Sequence, residues 1–81
     1  MTPNCPENFV STPEIARDLV ERIGKSQRWC AERIGIGERR LRYVLAGVRE
    51  VDGKQVAVTL TYAEQFALEA LALAAEAMRR P

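Results

Sequence analysis

The chain has no histidine, and its two cysteines, Cys5 and Cys30, lie far apart. Without histidine, the commonest general base and the commonest metal ligand are missing. Two distant cysteines make neither a disulfide framework nor a zinc-ligand spacing. No paired acids and no serine–base arrangement stand out either, so no enzyme activity, metal or other cofactor is expected. No apolar run reaches 18 residues, which argues against a transmembrane span. Met1 to Phe9 shows no basic stretch followed by an apolar one, so no secretory signal is expected. The simplest compartment is the reducing cytoplasm. Gly35-Ile36-Gly37 is a lone G-x-G with no strand before it, which excludes a nucleotide loop.

What is present is an ordinary globular balance. The chain has 81 residues, 47% hydrophobic and 28% charged, enough for one small domain. Such a domain buries a thin core and often gains stability by pairing with a second copy. The formal net charge of +1 hides a segregation. Between Lys25 and Arg49, seven basic residues face only Glu32 and Glu38, while both flanks are net acidic. Six of the seven are arginines, whose planar fork suits phosphates and the guanine edge. A solvated helical face is the plain reading of such a run; an anionic partner is the sharper one.

Residues 1–10 read as a flexible arm. Ser11-Thr12-Pro13-Glu14 is a helix start, with a hydroxyl cap, an early proline and a dipole-favoured acid. Ile15, Leu19, Val20 and Ile23 follow at helical spacing, and Gly24 ends the helix. Ser26 caps a second helix that stops at Gly35. Gly37 opens a third, with Leu41, Val44 and Leu45 as its buried stripe and Gly47 as its stop. Val51-Asp52-Gly53-Lys54 is a turn signal, and the β-branched residues after it suggest a short β-hairpin or wing near 48–60. Thr61 and Glu64 form a capping box for a fourth helix, from about Tyr62 to Met78. The expected fold is therefore mainly α: a helix-turn-helix domain at 11–60 and a C-terminal helix at 61–81.

The stretch from Lys25 to Gly47 carries the functional signal. Two short helices are joined by Gly35-Ile36-Gly37, with small Ala31 where they cross. Ser26, Gln27, Ala31, Gly35, Ile36, Gly37, Leu41 and Val44 resemble the core of Cro/lambda-repressor-like (XRE-type) helix-turn-helix proteins. Gly37 departs from that pattern, which usually has a capping serine or threonine there. Ser26-Gln27-Arg28, Glu38-Arg39, Leu41-Arg42-Tyr43 and Tyr62 with Gln65-Phe66-Ala67-Leu68-Glu69 carry a narrower resemblance, to the anti-CRISPR-associated (Aca) repressors of phages and mobile elements. It spans roughly Gly24 to Ala72, and the wing region diverges. The resemblance implies a dimeric repressor that binds inverted repeats in the promoter of its own operon.

In this motif the second helix enters the major groove with its N-terminal residues against base edges. Glu38, Arg39, Arg42 and Tyr43 lie opposite the buried stripe. Arg39 is the first choice for a bidentate contact to guanine O6 and N7; Arg42 and Tyr43 come next. Glu38 either accepts from a cytosine amino group or, the favoured option, holds Arg42 four residues on. Gln27 and Arg28 are backbone clamps by the resemblance, at a helix start that favours phosphate. Arg40 suits phosphate, and Lys25 and Arg49 flank the surface as weaker contacts. Arg40 and Arg33 are equally readable as solvated charges. Trp29 and Cys30 read as packing residues, and Cys5 as incidental.

The fourth helix has more apolar surface than one core can use. Phe66, Ala70, Leu73 and Ala77 make one face, and Leu68, Leu71, Ala75 and Met78 another, while Gln65, Glu69 and Glu76 share a polar stripe. One apolar face is expected to dock on the domain's own core and the other on a second copy, with Phe66, Leu68, Leu71, Leu73 and Met78 as candidate contacts. A single wide core face with exposed alanines is the alternative. The reading is thus a homodimer on double-stranded DNA, with no membrane or small-molecule partner. The competing reading is a protein-interaction adaptor or antitoxin-like module on the same scaffold.

Overall fold

A computed structural model describes residues 10–79 of the chain. The expected arm, apart from Val10, lies outside the described residues, as do Cys5 and Arg80. Six elements follow in order: α1 (Pro13–Ile23), α2 (Gln27–Ile34), α3 (Glu38–Ala46), β1 (Val48–Val51), β2 (Lys54–Ala57) and α4 (Tyr62–Arg79). This is the mainly helical, four-helix fold with one small hairpin that the sequence suggests.

Each helix starts and stops where its local chemistry dictates. The Thr12 hydroxyl accepts from the Ile15 amide at 3.2 Å, with Pro13 in the first turn. The Ser26 hydroxyl accepts from the Trp29 amide at 3.0 Å and starts α2. Gly35 then ends α2 at a left-handed φ of 81°, and the Ile36 amide turns back to the Ala31 carbonyl at 2.9 Å. That geometry makes the sharp joint of the helix-turn-helix. Gly37 caps α3 in extended conformation with no side chain to accept from it. At α4 the box is reciprocal: the Thr61 hydroxyl accepts from the Glu64 amide, and the Glu64 carboxylate accepts from the Thr61 amide.

The hairpin is antiparallel, with Val48 opposite Ala57 and Val51 opposite Lys54. Asp52 and Gly53 make its two-residue turn, both at positive φ (51° and 77°), which suits the right-handed strand twist. All eight strand residues are exposed, so the hairpin projects from the body as a wing. Its root is tied down by the Val58 amide donating to the Gly47 carbonyl at 3.0 Å and by burial of Val58 and Leu60. The alternating apolar residues after Ala57 therefore act as core anchors beyond the ladder.

The core joins Ala16, Leu19 and Ile23 of α1 to Ala31, Leu41, Val44 and Leu68 of the other helices. Cys30 and Ala31 are fully buried and small, which lets α2 approach its neighbours closely. Truncating a side chain such as Leu41, fully buried here, costs about 2–5 kcal/mol.

α4 lies mainly along α1, and its docked face differs from a plain apolar stripe. Leu68 is fully buried in the domain's own core, which removes it from the candidate dimer contacts. Leu71 is half-buried and packs on the same core. Two members of the polar stripe also face inward. Gln65 is buried and donates to the Val10 carbonyl at 3.0 Å, and Glu76 takes an ion pair from Arg22 of α1 at 2.6 Å. Phe66, Leu73 and Met78 stay exposed, as do Ala70 and Ala77. Of the two expected apolar faces, the one through Leu68, Leu71 and Ala75 docks, without Met78, and the one through Phe66 and Leu73 is left open.

Candidate nucleic-acid interface

α3 buries Leu41, Val44 and Leu45. At 100° per residue the opposite side of the helix is centred on Arg39, with Arg42 and Tyr43 flanking it. Arg39 and Arg42 are exposed, and among the described residues neither has a carboxylate within ion-pair distance. Glu38 is exposed on the first turn of α3. The favoured Glu38–Arg42 ion pair is not formed. Both side chains are exposed, where a solvent-screened attraction does not repay the entropy cost of holding the pair.

Arg40, expected as a phosphate contact, is committed elsewhere. Its Nε and Nη2 donate to the two carboxylate oxygens of Glu64 at 2.8 and 2.7 Å, and Nη2 also reaches the Thr59 carbonyl at 3.2 Å. The Arg40 guanidinium, followed by the Thr61 backbone and hydroxyl, holds the Glu64 carboxyl below its ordinary value against the opposing effect of burial. The sequence showed Glu64 as a capping residue; its role as partner to Arg40 links positions 24 apart and has no local signal.

Gln27 and Arg28 stand exposed on the first turn of α2. Arg28 makes only a loose contact with Glu32 at 3.4 Å, with both side chains largely in solvent. Trp29 is half-buried against the core, as a packing residue should be, and carries two cations on its ring: Lys25 Nζ at 5.8 Å and the Arg33 guanidinium at 5.2 Å from the centroid. This cation–aromatic cluster was not read from the sequence, although Lys25, Trp29 and Arg33 fall at a spacing of four. Burial pushes the Cys30 thiol up and makes it a poor nucleophile.

Tyr43 is half-buried, and its ring lies under Arg49 of β1, whose guanidinium sits 5.6 Å from the centroid. Arg49 is exposed and has no carboxylate partner among the described residues. An open cleft of about 540 Å³ separates α3 from the hairpin. Arg39, Arg40 and Tyr43 border it on one side, and Arg49, Val51 and Val56 on the other. One continuous surface thus carries Arg39, Tyr43 and Arg49.

Among the described residues no group of histidine, cysteine, aspartate or glutamate side chains could hold a metal ion, and no helix is long and apolar enough to cross a membrane. No family model, curated protein or solved structure matches this chain.

Proposed function

We propose that the chain is a sequence-specific DNA-binding regulator of transcription, working in the cytoplasm as a homodimer on an inverted repeat. One observation carries the reading. The second helix of a helix-turn-helix turns unpaired arginines, Arg39 and Arg42, outward from the most basic third of the chain. Solvated arginines without carboxylates keep all their donors for an incoming anion. Arg39, at the centre of the outward face, has the planar fork that suits guanine O6 and N7. Gln27 and Arg28 sit at a helix start, where backbone amides favour a phosphate. Repression of its own operon is what the resemblance to the anti-CRISPR-associated repressors adds.

The open face of α4 supports the dimer. A two-fold pair would set its recognition helices about 34 Å apart, one DNA turn, and would require a nearly palindromic site. The same face is what an adaptor would offer a protein partner, and the DNA test separates the two. Gel shifts use DNA from upstream of the chain's own gene at two salt concentrations. Wild type is expected to bind at near-physiological salt. Arg39→Ala is expected to lose about 1–3 kcal/mol and to relax preference at one base pair per half-site. Arg28→Ala is expected to weaken all sequences alike and flatten the salt dependence. A wild-type protein that shifts no DNA at near-physiological salt would favour the adaptor.

A further inference from the structure

We infer that the cleft between α3 and the hairpin is a seat for the sugar–phosphate backbone of one DNA strand, with Arg49 clamping a phosphate from the hairpin side. The inference rests on the DNA-binding reading and gives the wing a part in it.

The strand register sorts the side chains by face. Arg49 pairs with Val56, and Val51 with Lys54, so Arg49, Val51 and Val56 share one face of the hairpin. Arg49, Val51 and Val56 line the cleft. Glu50 and its partner Gln55 alternate onto the opposite face, which keeps the one strand carboxylate off the cleft wall. Val51 and Val56 are 36% and 46% exposed with no core behind them. The wall therefore offers a guanidinium beside an apolar strip.

That pairing matches a nucleic-acid strand, which alternates an anionic phosphate with an apolar sugar edge. Arg49 is also pre-positioned. Its guanidinium rests over the Tyr43 ring, 5.6 Å from the centroid. Such stacking restrains the side chain while its N–H donors stay available. Arg39 borders the same cleft, so a strand seated there is the one whose bases the recognition helix meets. The clamp and the reading residue would then act on adjacent nucleotides.

The test is hydroxyl-radical footprinting and affinity measurement on a duplex bound by the full chain, for wild type, Arg49→Ala and Val56→Glu. Both sites are exposed on a projecting hairpin, and unchanged circular dichroism and melting confirm the fold. Arg49→Ala is expected to lose protection of one backbone stretch per half-site. Its plot of log affinity against log salt should be shallower by about one per protomer, with base preference unchanged. Val56→Glu, which places a carboxylate in the cleft, is expected to weaken every sequence alike. Neutral methylphosphonate linkages in the stretch whose protection Arg49→Ala loses should weaken wild type about tenfold and Arg49→Ala hardly at all. If wild type binds DNA but both variants keep its footprint and salt slope, the cleft is not the backbone seat and the DNA-binding reading stands. If wild type protects no duplex, both fall.

Discussion

Arg40 of α3 and Glu64 of α4 form a two-pronged ion pair that braces the outward-facing helix to the start of the C-terminal helix. Glu64 is itself fixed, because its Oε1 also accepts from the Thr61 amide at 2.8 Å. In the proposed dimer this brace sets the angle between recognition helix and dimer helix. Arg40→Ala is expected to cost about 1–2 kcal/mol in urea unfolding, with the solvent that screens the partly exposed guanidinium already discounted. Affinity for a single half-site should fall only modestly, since Arg40 also borders the cleft but its donors are turned to Glu64. Tolerance for an added or removed base pair between half-sites should widen. Arg40→Lys keeps the charge but loses the fork, so it should restore only part of the spacing preference. Gel shifts on operators with graded spacers read the effect.

The same pair gives the fold a dependence on acid. The Glu64 carboxyl is held below its ordinary value of 4.5, chiefly by Arg40. A carboxylate depressed in the folded state stabilises that state above its unfolded value and loses the contribution as pH falls through the folded one. Glu64 should therefore contribute fully and without pH dependence near neutrality, and melting temperature should drop as pH falls below about 4.5. Glu64→Gln should start lower at pH 7 and show a smaller further drop in acid. Thermal melts of both proteins from pH 7 to pH 3 check this. Parallel curves would place the acid sensitivity on other carboxylates.

Two glycines that look alike in sequence should respond differently to alanine. Gly35 and Gly47 both adopt left-handed φ, 81° and 87°. A Cβ at Gly35 meets nothing within 4 Å, whereas one at Gly47 falls 2.6 Å from Pro13 Cγ, at the start of α1. Gly35→Ala should cost about 1 kcal/mol, the backbone penalty alone. Gly47→Ala should cost about 3 kcal/mol, because the rigid proline ring must also move. Gly37→Ser has the opposite sign: it supplies the missing cap of α3 and should gain a few tenths of a kcal/mol. Denaturant unfolding of the three variants ranks them.

The helix limits were legible because each is written in local chemistry: Thr12 and Ser26 as caps, Gly24, Gly35 and Gly47 as stops, Thr61 with Glu64 as a box. The outward set of α3 was legible for the same reason, since helical spacing from Leu41, Val44 and Leu45 fixes where Arg39 points. What the sequence hid was tertiary pairing. Arg40 sits on the flank of α3, and only the approach of α4 decides that Glu64, rather than solvent or phosphate, takes its guanidinium. Gln65 looked like a surface residue until the Val10 carbonyl appeared beside it. On α4 helical spacing separated two apolar faces, but it set Met78 on the one that docks, where it is exposed, and left buried Ala72 out of both; composition could not say which face docks. The ion pair from Arg22 to Glu76 and the burial of Gln65 turn the polar stripe inward and leave Phe66 and Leu73 outside.

That open face makes the last prediction the most direct. Phe66 and Leu73 are 46% and 60% exposed, and Ala70 and Ala77 continue the stripe at helical spacing. Small residues between larger ones allow two helices to approach closely. Wild type is expected to sediment as a dimer at micromolar concentration. Leu73→Glu should give a folded monomer, since the side chain leaves the core untouched. Its affinity for a two-half-site operator should fall toward that for one half-site. Leu68→Glu is the contrast: it buries a charge at a fully enclosed position and should unfold the domain. Analytical ultracentrifugation with circular dichroism distinguishes these outcomes. A Leu73→Glu protein that stays dimeric would move the contact off α4, and with it the role assigned to the Arg40–Glu64 brace in spacing the two recognition helices.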